Sequence, residues 1–273
     1  MWVALRGDRL AARAAWWGRE NDSEPLVLDV FDISDDSDDP GRIDIGVWLL
    51  ETAIAKVVAA GVRPPDYIRF IPPGWRDDDR ARQIVEDRMA ALERVGARLL
   101  VERLRLEWRS GTSIPVPPAR LVFRPVTDRA ELVELLTLAL DGTLDAHSRE
   151  ALGRASAAEA AADQYEGEFM GYSSPRDWWR VATHPDGEPV GFVIPARNDY
   201  NAIIAYLGVL PRHRGQGYVD DILAEGTRIL AANDAPRIRA STDLGNVPMA
   251  NAFRRAGYVV YQHQVDMTWP RAS

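Results

Sequence analysis

Leu207-Gly208-Val209-Leu210-Pro211-Arg212-His213-Arg214-Gly215-Gln216-Gly217-Tyr218 reads as a strand that runs into a glycine-punctuated basic turn and then opens a helix. Such a turn points several backbone N–H groups and a helix N-terminus at one spot, as a pyrophosphate requires. Gly215 and Gly217 carry no Cβ, so the backbone can take positive φ and approach phosphate oxygens, while Arg212 and Arg214 add positive charge. The pattern is not a Walker loop, since no Gly-Lys-Ser/Thr follows, nor the three-glycine dinucleotide fingerprint. A basic surface turn is the plain alternative, and the flanks argue against it. Upstream, residues 202–209 form an apolar run of strand length. Downstream, Ile222, Leu223, Ile229 and Leu230 stand at helical spacing before a short strand over 237–241.

Arg212-x-x-Gly215-x-Gly217 resembles the acyl-CoA loop of the GCN5-related N-acetyltransferases (GNAT), whose signature is Gln/Arg-x-x-Gly-x-Gly/Ala. A second element, Asn246-Val247-Pro248-Met249 followed by Ala252-Phe253-Arg254-Arg255-Ala256-Gly257-Tyr258, is similar to that family's next helix. It is equally an ordinary capped helix, with Asn246 as N-cap, Pro248 in the first turn and Gly257 at the end. The resemblance covers about residues 120 to 270. It implies an α/β fold with a mixed twisted sheet, acetyl-CoA as acyl donor, and no metal. It assigns CoA binding to Leu207, Val209, Arg212, Arg214, Gly215, Gln216, Gly217, Tyr218, Asn246, Met249 and Phe253.

The resemblance also implies a direct transfer, in which the substrate amine attacks the thioester carbonyl and a backbone N–H on the fourth strand polarises that carbonyl. Val209 stands at this position. Many members place a Glu on the same strand to accept the proton and a Tyr on the later helix to protonate the thiolate. The corresponding positions here hold Ile204 and Phe253. Orientation alone contributes roughly 7–11 kcal/mol, against about 10²–10⁴-fold for acid–base assistance, so transfer remains feasible. Tyr206, two residues beyond Ile204, is expected on the same strand face and lining the site. Asp243 and Tyr261 are weaker catalytic candidates, and Asp243 equally fits a strand-end or helix-capping role. Glu166, Glu168 and Asp163 either attract a cationic substrate or form a solvated helix face. The expected activity is acetylation of a small-molecule amine. The alternatives are transfer of a different acyl group, or a noncatalytic CoA-binding sensor or scaffold.

The first hundred residues repeat the order of the last seventy. Residues 26–31 form a strand, 47–60 an amphipathic helix, 67–71 a strand and 82–95 another helix, with early strands over 11–18 and 26–33. Gly96 ends its helix as Gly257 ends the later one. Trp108 and Trp269 follow these glycines at equal distance, each closing an alternating strand, Leu104-x-Leu106-x-Trp108 and Val265-x-Met267-x-Trp269. Residues 1–112 therefore read as a shortened, degenerate half, 113–119 as a Pro-rich linker, and 120–273 as the catalytic domain. Where the second half has its basic turn, the first has Asp35-Asp36-Ser37-Asp38-Asp39, whose carboxylates repel a pyrophosphate. Its expected role is structural, as in an intramolecular pseudo-dimer, with a cap over the substrate cleft as the second choice.

Composition sets outer limits. The 273 residues are 46 % apolar and 27 % charged, which suits a soluble globular protein of one large or two modest domains. The absence of cysteine excludes disulfides, thiolate catalysis and cysteine zinc sites. No apolar stretch reaches membrane-spanning length and no basic segment leads a hydrophobic one at Met1, so a cytoplasmic location is expected. A formal charge of −8 argues against nucleic-acid binding and suits either plain solubility or a cationic amine substrate. His147, His184, His213 and His263 are far apart in sequence and match no metal-ligand spacing, so they are expected as surface or loop residues.

Overall fold

The structure is a computed structural model that describes residues 1–18 and 24–270. The chain divides into two compact units. The first comprises residues 1–103 together with the chain from Gln262 onward, and the second comprises 104–261.

The first unit contains β1 (Trp2–Arg6), β2 (Arg9–Trp17), β3 (Val27–Ile33), α1 (Arg42–Val57), β4 (Tyr67–Ile71) and α2 (Asp79–Arg94). The early part of β5 (Arg98–Arg109) and the later part of β11 (Val259–Thr268) complete it. The strands are ordered β1-β2-β3-β4-β11. β1, β2 and β3 pair antiparallel, the parallel ladder of β3 and β4 has the one pair Leu28 and Tyr67, and β11 runs antiparallel to β4. α2 starts where the Asp78 side chain accepts from Ala81 N, and its apolar face delivers Val85 and Leu92 to the core. That core joins Leu28, Phe31, Leu50 and Leu92 to Val265, Met267 and Trp269.

The second unit contains β6 (Val122–Pro125), α3 (Arg129–Leu140), α4 (Ala146–Leu152), α5 (Ala157–Gly167), β7 (Arg180–Thr183), β8 (Pro189–Arg197), β9 (Ala202–Val209), α6 (Tyr218–Ala232), β10 (Arg237–Asp243) and α7 (Val247–Arg255). Its order is β5-β10-β9-β8-β7-β6. β6 to β9 pair antiparallel in turn, and β9 pairs in parallel with β10. α6 and α7 bury Ile222, Leu223, Leu230 and Phe253 against one set of sheet residues, which includes Leu104, Leu106 and Trp108. α3 and α5 bury Leu132, Leu136 and Ala161 with Phe169, Trp179 and Phe192 in a separate cluster.

The mixed α/β architecture is as expected, with two differences. The expected boundary placed 104–112 in the first half and 262–270 in the second, whereas the compact units assign them the other way round. The alternation of Leu104, Leu106 and Trp108 marks a strand with one buried face without saying which core buries it. The second difference is α4, which was not anticipated. Asp145 caps it by accepting from Ser148 N, in a stretch too short to show apolar periodicity. Among the described residues no helix is long and apolar enough to cross a membrane.

Candidate functional site

β9 and β10 are paired only at Ala202 with Ile238 and Ile203 with Arg239. From Ile204 and Ala240 onward the two parallel strands share no ladder, which leaves an opening between them. The basic turn lies at its mouth. Gly215 and Gly217 adopt φ of +77° and +76°, and Gly217 directly precedes α6. The N–H groups of Gly215, Gln216 and Gly217 have no hydrogen-bond partner among the described residues. A Cβ built on Gly215 would meet nothing within 4 Å, so the space beside the loop is open. Free N–H groups, an open cradle and the N-terminus of a 15-residue helix together fit a pyrophosphate.

Arg120 supports this turn and escaped the sequence reading, since nothing but its charge marked it at the end of the linker. Its guanidinium forks the buried Asp221 in the first turn of α6 at 2.6 and 3.2 Å and donates to Gln216 O at 3.1 Å. It also lies 4.5 Å from the Tyr218 ring centroid. Arg120 thereby neutralises a carboxylate that would otherwise oppose an anion at the helix N-terminus.

The two arginines of the motif are placed differently. Arg212 is exposed and pairs with Glu188 at 3.1 Å. Arg214 donates to Val209 O at 3.0 Å, Asp141 O at 2.6 Å and Ala139 O at 2.8 Å. Its expected phosphate role is therefore replaced by a clamp between the end of α3 and the end of β9, because those carbonyls have no helical partners of their own.

Val209 N–H is aimed at the opening. Leu210 N–H is bonded to Val190 O on the β8 side, and successive amides of a strand point to opposite sides. Leu207 and Val209 are partly buried and pack on the α6/α7 cluster, as does Met249. Asn246 caps α7, accepting from Met249 N at 3.4 Å. Phe253, expected along the CoA arm, is instead 1 % exposed, with its ring edge-on to Tyr258 at 5.1 Å. It serves the core because its position on α7 faces the sheet.

Tyr206 does not share a face with Ile204. Ile194 opposes Tyr206 while the next residue, Pro195, opposes Ile204, so Ala205 is an extra residue in β9. This bulge sends Ile204 into the α6/α7 cluster and both Ala205 and Tyr206 to the α3/α5 side. There Tyr206 stacks on Phe192 at 5.7 Å and lies 6.2 Å from Phe169. Burial pushes its phenol up to about 12, aided by the Asp145 carboxylate and opposed by a hydrogen bond with Ser148 and by the Arg214 charge; Glu168 adds a smaller upward push. Asp145, Ser148, Arg214 and Glu168 are thus the polar groups that act on the Tyr206 hydroxyl. Ser148 and Asp145 come from the unforeseen α4.

Asp243, buried at the end of β10, accepts from Ala146 N at 2.6 Å and so ties the start of α4 to the strand. Tyr261 is engaged by Arg239, whose guanidinium sits 3.6 Å from its ring centroid. Among the acidic candidates, Glu166 pairs with Arg129 at 2.7 Å, Asp163 is exposed, and Glu168 accepts from Tyr172 at 2.6 Å.

The histidines are not all isolated. His184, in the β7–β8 turn, meets His213 ring to ring at 5.2 Å, and the Glu188 carboxylate lies 3.6 Å from His213 Nε2. Antiparallel pairing of β8 with β9, with Gly191 opposite Val209, brings these distant positions together.

Residues 144–258 match the model of the acetyltransferase (GNAT) family. No curated protein matches the sequence. Among solved structures, a GCN5-related N-acetyltransferase from Sphaerobacter thermophilus is similar over 98 % of this chain and 80 % of its own, with TM-score 0.58 and 18 % identity. A tandem GNAT protein from the clavulanic acid biosynthesis pathway, solved without AcCoA, is similar over 99 % and 82 %, with TM-score 0.55 and 15 % identity. A GCN5-related N-acetyltransferase from Kribbella flavida is similar over 84 % and 77 %, with TM-score 0.53 and 19 % identity. At these identities the likeness is one of fold.

Proposed function

From a chain whose residues 144–258 match the model of the acetyltransferase (GNAT) family, we propose an acetyl-CoA-dependent N-acetyltransferase that acts on a small, cationic amine. The observation that carries this reading is the unpaired stretch of β9 and β10 with the open Gly215–Gly217 cradle at its mouth. Acetyl-CoA supplies the activated thioester. The loop amides and the α6 N-terminus hold the pyrophosphate, and Val209 N–H donates to the carbonyl oxygen on which charge develops.

On the acceptor side, the carboxylates of Asp145 and Glu168 near Tyr206 favour a cation. An amine must lose a proton before it can attack, and Tyr206 is not the group that takes it. With its phenol at about 12, it is neutral at pH 7 and acts as a hydrogen-bond donor that holds the amine or a water. With Ile204 buried at the position of the usual Glu, the proton leaves through solvent, and rate comes chiefly from orientation. The first unit has no part in this binding. Its acidic turn is tied down by Arg88 to Asp35 at 2.7 Å and Arg6 to Asp39 at 3.0 Å.

Thiol release from acetyl-CoA across a panel of amines of different charge tests the proposal. Amine-dependent release, greatest for cationic acceptors, is expected. Tight acetyl-CoA binding with no amine-dependent release would favour the noncatalytic sensor, the reading that the absence of the usual Glu and Tyr supports.

A further inference from the structure

Beside the phosphate loop lies a second cluster that acyl transfer does not use. His184 and Glu188 are held four residues apart by the β7–β8 turn, in which His184 N–H donates to Glu188 O at 2.9 Å. His213 enters from the turn that follows β9, with its side chain only 9 % exposed. One nitrogen from each imidazole and one carboxylate oxygen all lie within 4.8 Å of one another.

Tetrahedral zinc with bonds of about 2.0–2.1 Å needs ligand atoms roughly 3.3 Å apart. Glu188 Oε1 and His213 Nε2 already stand at 3.6 Å. His184, itself only partly buried, offers a ring nitrogen within 4.8 Å of both. The rings are preoriented, since Tyr218 packs edge-on against His184 at 5.5 Å and His213 at 6.1 Å, and Arg120 backs Tyr218 from 4.5 Å. His213 Nε2 accepts from Arg212 Nε at 3.1 Å, so this nitrogen carries a lone pair and is the ring atom able to ligate a metal.

That arginine occupies the position of a cation. Arg212 Nε meets His213 Nε2 at 3.1 Å and its Nη2 meets Glu188 Oε1 at 3.1 Å, so one guanidinium spans two of the three ligand atoms. A guanidinium and a divalent ion cannot share them.

We propose that His184, Glu188 and His213 form a site for a zinc-type divalent transition metal, in direct competition with the Arg212 side chain. Two imidazoles and one carboxylate favour such an ion over Mg2+ or Ca2+, which prefer oxygen ligands. Three protein ligands leave a coordination position for solvent. A metal that takes Glu188 and His213 detaches Arg212 from both.

Titration of the full-length chain with Co2+, read by its visible d–d absorption, tests the site. A saturable band at one Co2+ per chain is expected, displaced by Zn2+ and untouched by Mg2+. His184→Ala and Glu188→Gln, each checked for native circular dichroism, should weaken binding at least about tenfold, and His147→Ala should not. Arg212→Ala should tighten binding severalfold, which distinguishes competition from simple support. No saturable band, displacement by Mg2+, equal binding by the His184 and Glu188 variants, or weaker binding in Arg212→Ala would overturn the proposal. Acetyl-CoA binding measured in parallel separates this outcome from failure of the transferase reading.

Discussion

Gly96 and Trp269 are packed against each other across 173 residues of sequence, such that a Cβ on Gly96 would lie 3.9 Å from Trp269 Cδ1. Gly257 stands in the same relation to Trp108, again at 3.9 Å. Both glycines have positive φ, +88° and +84°, and both follow a helix whose end is closed by the same bonds, Ala97 N to Leu92 O and Tyr258 N to Phe253 O. Each tryptophan therefore sits at the helix end of the other half of the sequence, and the closing strands are exchanged between the units.

Trp269→Ala should destabilise the first unit by about 3–5 kcal/mol, the usual cost of emptying a large buried aromatic site. It also removes the indole bond to Val95 O at 3.1 Å. Denaturant unfolding of the full chain measures this, and loss below 1 kcal/mol would contradict the burial.

Gly257→Ala should cost more than Gly96→Ala. Both place a side chain at positive φ, about 1–2 kcal/mol each. Only Gly257 adds a clash, its Cβ lying 2.6 Å from Thr112 Cγ2. Melting temperatures of the two variants decide the order.

Acetyl-CoA should bind once per chain. Asp35 and Asp39 already hold Arg88 and Arg6 where the second unit offers free amides, so among the described residues this turn of the first unit presents carboxylates rather than an anion cradle. Calorimetry should give a stoichiometry near one, abolished by Gly215→Asp with Gly217→Asp.

Tyr206→Phe should lower turnover about fivefold, the value of one hydrogen bond of about 1 kcal/mol, with little change in acetyl-CoA affinity. The phenol stays neutral up to about 12, so the ratio of the two rates should be constant between pH 6 and pH 9. A ratio that changes within that range would identify Tyr206 as a titrating group.

Stability should fall in acid through Asp32 and Glu102. Burial raises the pKa of each, but hydrogen bonds from Arg13 and Arg69 to Asp32, and from Arg76, His263 and Trp75 to Glu102, outweigh it and leave both below the ordinary carboxylate range. A carboxyl lowered in the folded state contributes fully above its unfolded value of about 4 and is lost as pH falls through the folded value. The denaturation midpoint should thus be flat from pH 7 to pH 5 and drop below about pH 4. Glu102→Gln should reduce that drop.

The sequence alone determined the local features: the basic glycine turn, the Asn246 cap, the terminating Gly96 and Gly257, and the two alternating strands, because turn chemistry, capping and periodicity act over a few residues. Tertiary structure decided what those features face. Alternation marks a buried strand face and leaves open which core receives it, so the exchange of β5 and β11 residues was invisible. A one-residue bulge at Ala205 reversed the face of Tyr206, and strand pairing, with no counterpart in sequence spacing, brought His184 beside His213. Arg214 shows the same limit, since charge and position in the motif suggested a phosphate ligand, while the carbonyls at the end of α3 captured its guanidinium.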